Sequence, residues 1–344
     1  MAKIWVEMRF WFTLTGAAFD YQGSIWTGEM ASIQITTQIG CRNSCDYCPQ
    51  DLLIEANRKT DGSLIMTFDT FKTCVKKIPL QVAIWFAGMC EPWSNPKCTK
   101  MLLYAHEQGH GIGVFTTLVG MSTADLDLLQ LVPFQFFRIH LPSKSGIESI
   151  KISDNYLRCL GKVISNGIPV TFHCHDQVVP EVVSILDQNG YRAELRSLYR
   201  RAGNISVSGR LKAGKRRGAI ACQRRSRSNV LLPNGDVLLC SNDYGMKHTL
   251  GNLLETSYES LFTGSEFQKI QRGQTDESLD VLCRYCDNFA YDLDAYASLQ
   301  NWSYHIDRFL YYPRRIRSWE DALQLLGKVR FVVRNASRSI FKGK

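Results

Sequence analysis

The chain has no run of about 18 apolar residues, the length a helix needs to cross a bilayer, so nothing in it reads as a membrane span. Internal repeats and low-complexity tracts are also absent, which excludes solenoids and repeat arrays. Acidic residues are missing from one long stretch: between Leu195 and Gly235 stand eleven Arg or Lys and no Asp or Glu. The opening run MAKIWVEMRFWFTLTGAA is apolar only in part, because Glu7 and Arg9 interrupt it, and no export signal is expected there. Twelve cysteines among 344 residues are too few for a disulfide scaffold. Thiolates held by metal in a reducing, cytoplasmic setting fit them better.

With 45% hydrophobic residues, the chain can bury one large domain, or a large one and a small one. Its formal charge of +9 is concentrated in the acid-free stretch and in the tail. From Arg308 to Lys344, ten Arg or Lys face only Glu320 and Asp321. Such blocks attract phosphorylated metabolites, lipid headgroups or nucleic acid, and an ordinary solvated surface is the competing reading. A short helix is expected over 318–326, with Trp319, Leu323 and Leu326 on one side. That tail can make a peripheral membrane contact with anionic lipid, or pack on the body. No stacking module or reading helix points to nucleic acid, so none is expected as a partner.

From about residue 32 to 188, strand-like and helix-like runs alternate. IQITTQIG, VAIWFAGM, IGVFTTLVG, FQFFRIHL and IPVTFHC read as strands, separated by amphipathic helices. Strands 10–15 helical residues apart imply parallel β/α units, which bind ligands beyond their C-terminal strand ends. Cys41, Glu91, Thr117, His140 and His175 all end or follow such strands and therefore converge on one rim. After about residue 195 the alternation stops, and Asn234-Gly235 between two apolar runs predicts a hairpin.

CRNSCDYCPQ places Cys41, Cys45 and Cys48 within eight residues. A structural zinc site would want four ligands from paired knuckles, and unliganded buried thiols would not cluster among Arg42, Asn43 and Asp46. An iron–sulfur cluster with three cysteine ligands and one open iron remains. The Cys-x3-Cys-x2-Cys spacing, with Tyr47 before the last cysteine, resembles the signature of the radical SAM superfamily. The resemblance implies a [4Fe-4S] cluster whose open iron chelates S-adenosylmethionine (AdoMet), with Tyr47 near its adenine. Gly88 and Glu91 of GMCEP, Thr117 of TTLVG and His140 match positions where that family meets the cosubstrate. Met89-Cys90 stands where a second glycine is usual, and TTLVG lacks the common Asn.

Cys222, Cys240, Cys283 and Cys286 offer four further thiolates with no open position, suited to zinc or to a fully ligated cluster. Their layout, with Gly235 and Gly251-Asn252-Leu253 between, is similar to the twitch type of SPASM/twitch radical SAM enzymes. It is most similar to that of the 2-deoxy-scyllo-inosamine dehydrogenases. The resemblance spans roughly residues 30–290 and implies one auxiliary [4Fe-4S] cluster, two clusters in all. The fold expected is a partial (β/α)6 TIM-like barrel over 31–195, a small C-terminal α/β twitch domain over 196–290, an N-terminal extension over 1–30 and a basic helical tail over 291–344.

The activity implied is radical SAM oxidoreduction. A 5′-deoxyadenosyl radical abstracts hydrogen from a sugar-like or cyclitol-like small molecule, neutral or anionic, and the auxiliary cluster accepts an electron to give a dehydrogenated product. Reduced flavodoxin or ferredoxin would be the electron donor. A peptide maturase and a sugar epimerase are the alternatives, and a structural zinc protein is the reading without catalysis. His173 and His175, on one face of VTFHCHD, are candidate bases, and Cys174, on the other, is a candidate hydrogen donor. Arg196, Arg200 and Arg201 can fork onto phosphate or carboxylate, and Asn204 can take a hydroxyl. Of these, Arg196 and Asn204 are the substrate contacts expected.

Overall fold

A computed structural model of the chain describes residues 18–19, 25–26, 31–43, 45–60, 62–205, 214–222, 228–287 and 290–291. Apart from these few residues, the expected N-terminal extension and basic tail, with its helix over 318–326, lie outside the described residues.

Six strands run parallel: β1 (Ser32–Ile35), β2 (Ala83–Phe86), β3 (Ile112–Thr116), β4 (Phe134–His140), β5 (Val170–Cys174) and β6 (Ala193–Leu195). Helices α1 (Gln50–Arg58), α2 (Phe68–Val75), α3 (Cys98–Glu107), α4 (Thr123–Leu129), α5 (Asp154–Ser165) and α6 (Pro180–Gln188) connect them. The alternation predicts these parallel β/α units, and the partial (β/α)6 barrel they form is the one the resemblance implies. Thr67, Ser122 and Ser153 cap α2, α4 and α5, and Ser122 completes a capping box with Asp125. Ile33, Ile84, Phe86, Val114, Phe137, Ile139 and Phe172 turn one face of the sheet into the core beneath the helices. At about 1.5–3 kcal/mol for each fully buried side chain, these residues fix the strand register, since a one-residue slip would expose them all.

The opposite face lines the lumen. Trp85 and Phe115 meet Phe136 edge-on, with ring centroids 5.0 and 4.8 Å apart. Gly113 leaves room for them, since a Cβ there would lie 2.5 Å from the Phe136 ring. Arg138 lies over Phe136 at 4.7 Å. The lumen therefore has an aromatic floor.

Two elements escape the sequence pattern. Helix α1 buries only Leu53 and Asn57, and three-residue β6 is polar at Glu194, so neither carries a clear apolar period. The C-terminal part also departs from expectation. Its hairpin, β7 (Ser228–Leu231) and β8 (Asp236–Leu238), turns at Asn234-Gly235 as predicted, but β7 pairs in parallel with β1. With β9 (Thr249–Asn252), the appendage extends the barrel sheet in the order β9-β8-β7-β1-β2-β3-β4-β5-β6. Val230, Leu232, Leu238 and Tyr244 close a second apolar cluster with Ile39, Leu53 and Met89, directly under the cysteine loop. Helix α7 (Ser265–Arg272) and a 3-10 turn at Leu282–Tyr285 complete the part.

Two glycines separate strain from propensity. Gly120 has φ +87°, and a Cβ there would collide with the Trp93 carbonyl oxygen. Gly161 lies inside α5 with open space around it. Gly120→Ala is expected to cost at least about 1–3 kcal/mol, whereas Gly161→Ala should add about 0.5–1 kcal/mol. Urea unfolding midpoints that move in opposite directions check the assignment.

Candidate functional site

The loop after β1 carries Cys41, Cys45 and Cys48 onto the C-terminal rim of the barrel. Cys41 Sγ receives the backbone N–H groups of Asn43 at 3.4 Å and Glu91 at 3.3 Å. Gln50 Nε2 donates to Cys48 Sγ at 3.0 Å, and Tyr244 Oη lies 3.3 Å from the same sulfur. Burial pushes the Cys41 thiol up to about 12 and raises that of Cys45 as well. Donors aimed at the sulfurs suit a metal-bound thiolate form. The donor set therefore fits an iron–sulfur cluster. Among the described residues no three His, Cys, Asp or Glu could share one metal ion, and a cluster, with each thiolate on a different iron, does not require it.

Glu91 fastens this loop. Its buried carboxylate accepts from Thr116 Oγ1 at 2.7 Å, from Thr117 N and Oγ1 at 2.6 and 2.7 Å, and from Trp93 N at 3.2 Å. Asn43 of the cysteine loop in turn donates to Thr117 Oγ1 at 2.7 Å. Four internal donors use the acceptor capacity of both oxygens. Glu91 and Thr117, predicted to meet the cosubstrate, are thus committed to joining loops. Gly88, at φ +79°, lets the chain pass Thr36, whose Oγ1 would lie 2.5 Å from a Cβ and receives Met89 N–H at 3.1 Å.

Three histidines meet in the lumen above the aromatic floor. The His140 ring lies 5.9 Å from that of His173 and 5.6 Å from that of His175, and His175 meets Tyr47 edge-on at 4.6 Å. Burial lowers all three, His140 to about 3 and His173 to about 4, so they stand neutral near pH 7. His175 Nδ1 lies 2.8 Å from the Arg196 carbonyl, which can only accept, so Nδ1 carries the proton and Nε2 is left as an acceptor. Cys174 is not brought to this group. Its side chain lies in the core behind β5, with Sγ 3.7 Å from the Leu141 carbonyl, because strand alternation turns it away from His173 and His175.

Of the expected substrate contacts, Arg196 stands at the lumen edge, its charge reaching His140 and His173, and both Arg196 and Asn204 hold protein partners. Arg196 pairs with Glu194, and Asn204 Nδ2 donates to Asn242 O at 2.8 Å in the loop after Cys240. Arg200 grips Asp287 through Nε and the backbone N–H, a buried ion pair that joins the end of the barrel to the residue after Cys286. Two residues the sequence did not reveal, Glu148 and Tyr244, come from loops without a motif, and no period or spacing marks them; Arg284 lies inside the Cys283–Cys286 pair, but nothing in the pair's spacing shows that its side chain is buried.

The second cysteine group sits in the appendage. Burial, and the nearby Cys286 and Cys283 sulfurs, raise Cys240, while Cys222 is half-buried. His248 Nε2 accepts Leu282 N–H at 3.0 Å and its Nδ1 holds Glu266 at 2.6 Å, which fixes the turn carrying Cys283. Arg284, between the paired cysteines, is fully buried. Its Nη1 donates to the Arg216 and Gly218 carbonyls, and its Nε and Nη2 have no partner among the described residues. A buried guanidinium so poorly paired calls for negative charge nearby, which four thiolates on iron would supply.

Residues 222–287 match the SPASM family, an iron–sulfur cluster-binding domain. Among solved structures, the chain is similar to BtrN in complex with AdoMet and 2-DOIA, at 17% identity over 76% of this chain and 94% of that one, with a TM-score of 0.52. It is similar as well to Streptococcus suis SuiB bound to precursor peptide SuiA, at 13% identity over 70% of this chain and 66% of that one, with a TM-score of 0.52. No curated protein matches the chain. The likeness is one of fold: a mostly parallel β/α sheet is joined to a C-terminal region, residues 222–287, that matches an iron–sulfur cluster-binding domain.

The neutral histidines generate a pH prediction. An unfolded imidazole titrates near 6.5, whereas folded His173 and His140 refuse the proton down to about 4 and 3. The unfolded state then binds more protons, so stability should fall as pH drops from about 7 towards 4. His173→Gln should flatten that slope. Urea midpoints measured across the range check it, and equal slopes in both proteins would reject it.

Proposed function

We propose that this chain is a radical SAM oxidoreductase with one AdoMet-binding and one auxiliary [4Fe-4S] cluster. The three-cysteine loop, with hydrogen-bond donors aimed at its sulfurs beside the histidine-lined lumen, carries this reading. Cys41, Cys45 and Cys48 would hold the first cluster, and Cys222, Cys240, Cys283 and Cys286 the second. When bound, the first would supply a hydrogen-abstracting radical from AdoMet, and the second an electron acceptor. The chain's own contribution is positional: the aromatic floor excludes water, and Tyr47, His140 and His173 wall the substrate in. His175, with Nε2 free to accept, would take a hydroxyl or amide proton from the substrate.

For the substrate, modification of a peptide has the better support. The fold is shared with a structure bound to a precursor peptide. Among the described residues β6 is an edge strand, and its Glu194, in register with lumen-facing His173, has a side chain 54% exposed, which leaves the lumen accessible from that side. Dehydrogenation of a cyclitol-like molecule is the second reading, favoured by the cysteine layout and by the fold shared with a complex of AdoMet and 2-DOIA. Both rest on likeness of fold, which does not specify chemistry. Epimerisation would need a hydrogen donor, and Cys174 is turned away from the lumen. Reduced flavodoxin or ferredoxin in the cytoplasm is the electron source we propose.

Anaerobic reconstitution tests the reading. The wild-type chain should take up about eight iron and eight sulfide, and AdoMet should alter the spectrum of the reduced protein. Cys45→Ala should keep about half of the iron and release no 5′-deoxyadenosine; zinc without sulfide would reject the proposal. Arg284→Met should lower the auxiliary potential by tens of millivolts, because a nearby cation stabilises the more negative reduced form. An unshifted potential in a redox titration followed by paramagnetic resonance would leave Arg284 as a structural brace alone.

A further inference from the structure

The basic segment that follows β6 distributes its charges unequally. Arg196 pairs with Glu194, while Arg200 and Arg216 share Asp287. Arg201 makes no ion pair among the described residues. Its guanidinium lies 5.7 Å over the Tyr47 ring, half-buried, on the lumen side of the junction. Its charge is felt by His140, His175 and Tyr244.

The backbone holds it there at a cost. Arg201 and Ala202 both have positive φ, +47° and +55°, in a left-handed run completed by Gly203 at +85°. Two successive non-glycine residues in this region are strained, and such strain persists where surrounding contacts impose it. Here Arg200, clamped on Asp287, fixes the start of the turn, and Asn204, bonded to Asn242, fixes its end. The turn between them carries Arg201 to Tyr47.

A second charged group near Tyr47 and His175 is only half-satisfied. Glu148, 2% exposed, lies in the loop after β4. Its Oε1 accepts the His175 backbone N–H at 2.7 Å, while its Oε2 is buried with no partner among the described residues. Both Tyr47 and His175 feel Glu148 as well as Arg201. A carboxylate oxygen shut away from water and left unbonded is costly unless a ligand donates to it.

Resting on the reading above, we propose that the substrate carries an anionic group, carboxylate or phosphate, seated on Arg201, and a hydroxyl or ammonium that donates to Glu148. Arg201 is then the charge-assisted anchor that holds the substrate against the Tyr47 and His175 side of the lumen. In a peptide, an acidic side chain or the C-terminal carboxylate meets the requirement. In a small molecule, a phosphate or carboxylate does.

Equilibrium dialysis of radiolabelled inorganic phosphate against the reconstituted full chain, with and without saturating AdoMet, tests this. Saturable binding that survives AdoMet and weakens about tenfold or more in Arg201→Gln is expected. Arg201→Lys, which keeps the charge without the fork, should fall between, and its iron content and circular dichroism check the fold. Glu148→Gln should tighten phosphate binding by removing a like charge from the same cavity. Competitive displacement of phosphate by AdoMet would assign Arg201 to the cosubstrate's carboxylate and overturn the proposal. So would the absence of saturable binding, unchanged affinity in Arg201→Gln, or unchanged affinity in Glu148→Gln. A spectrum of the reduced protein that does not respond to AdoMet would instead overturn the radical SAM reading, so the two failures are separable.

Discussion

The arrangement of the cysteine rim depends on one carboxylate that never meets solvent. Glu91 accepts hydrogen bonds from the end of β3, from the residue after it and from its own loop, and its backbone N–H points at Cys41. A buried carboxylate needs donors to offset lost water, and four of them do so in part, since burial still raises Glu91 above the usual carboxylate range. The dependence runs both ways. The loops need Glu91 to stay together, and Glu91 would be stranded if any loop moved, at about the cost of a buried unpaired charge, 3–5 kcal/mol. Asn43 extends the network into the cysteine loop through Thr117. The loop that would carry a cluster is thereby built into the barrel rather than appended to it.

The appendage is secured with comparable rigidity. Strand β7 hydrogen-bonds to β1, whose C-terminal end feeds the cysteine loop, and β8, which leads to Cys240, pairs with β7, so the loop and Cys240 hang from one sheet. Tyr244 reaches Cys48, and its ring belongs to the apolar cluster that also holds Leu53 of α1 and Met89 of the β2 loop. At the far side, the Arg200–Asp287 pair locks the end of the barrel to the residue after Cys286. Several independent ties of this kind leave little freedom for one cysteine group to move against the other.

The barrel was legible because its strands are continuous apolar runs and its helices carry caps and amphipathic periods. Ser122 with Asp125, or the run AIWF in β2, announces its element locally. The cysteines were legible by spacing. Other features were settled by contacts remote in sequence. Nothing in NVLL says that it will pair with SIQI nearly 200 residues earlier, and the short β6 owes its existence to β5 beside it. The site residues divide in the same way. His173 and His175 could be placed on one face by alternation alone, which also removes Cys174, whereas His140 joins them through the β4–β5 register that only the folded sheet reveals. Glu148 and Tyr244 come from loops whose course is set by packing, so no local signal marks them. Asn204 and Arg196 looked available in the sequence because their partners, Asn242 and Glu194, are revealed only by the folded chain.

The lumen combines an aromatic floor with neutral imidazoles, and the sheet itself determines their state. The Arg196 backbone N–H pairs with the Cys174 carbonyl at 2.8 Å, which continues the β5–β6 ladder by one residue. The Arg196 carbonyl then faces inward and holds the proton on His175 Nδ1. Burial makes charging the ring unfavourable, so Nε2 keeps its lone pair. Glu148 binds the backbone N–H of the same residue and steadies the strand end from the other side. The tautomer of His175 is therefore a property of the sheet edge. A proton acceptor set by main-chain geometry needs no acidic partner, and the imidazoles stay neutral although Arg138, Arg201 and Glu148 bring charge to the same lumen.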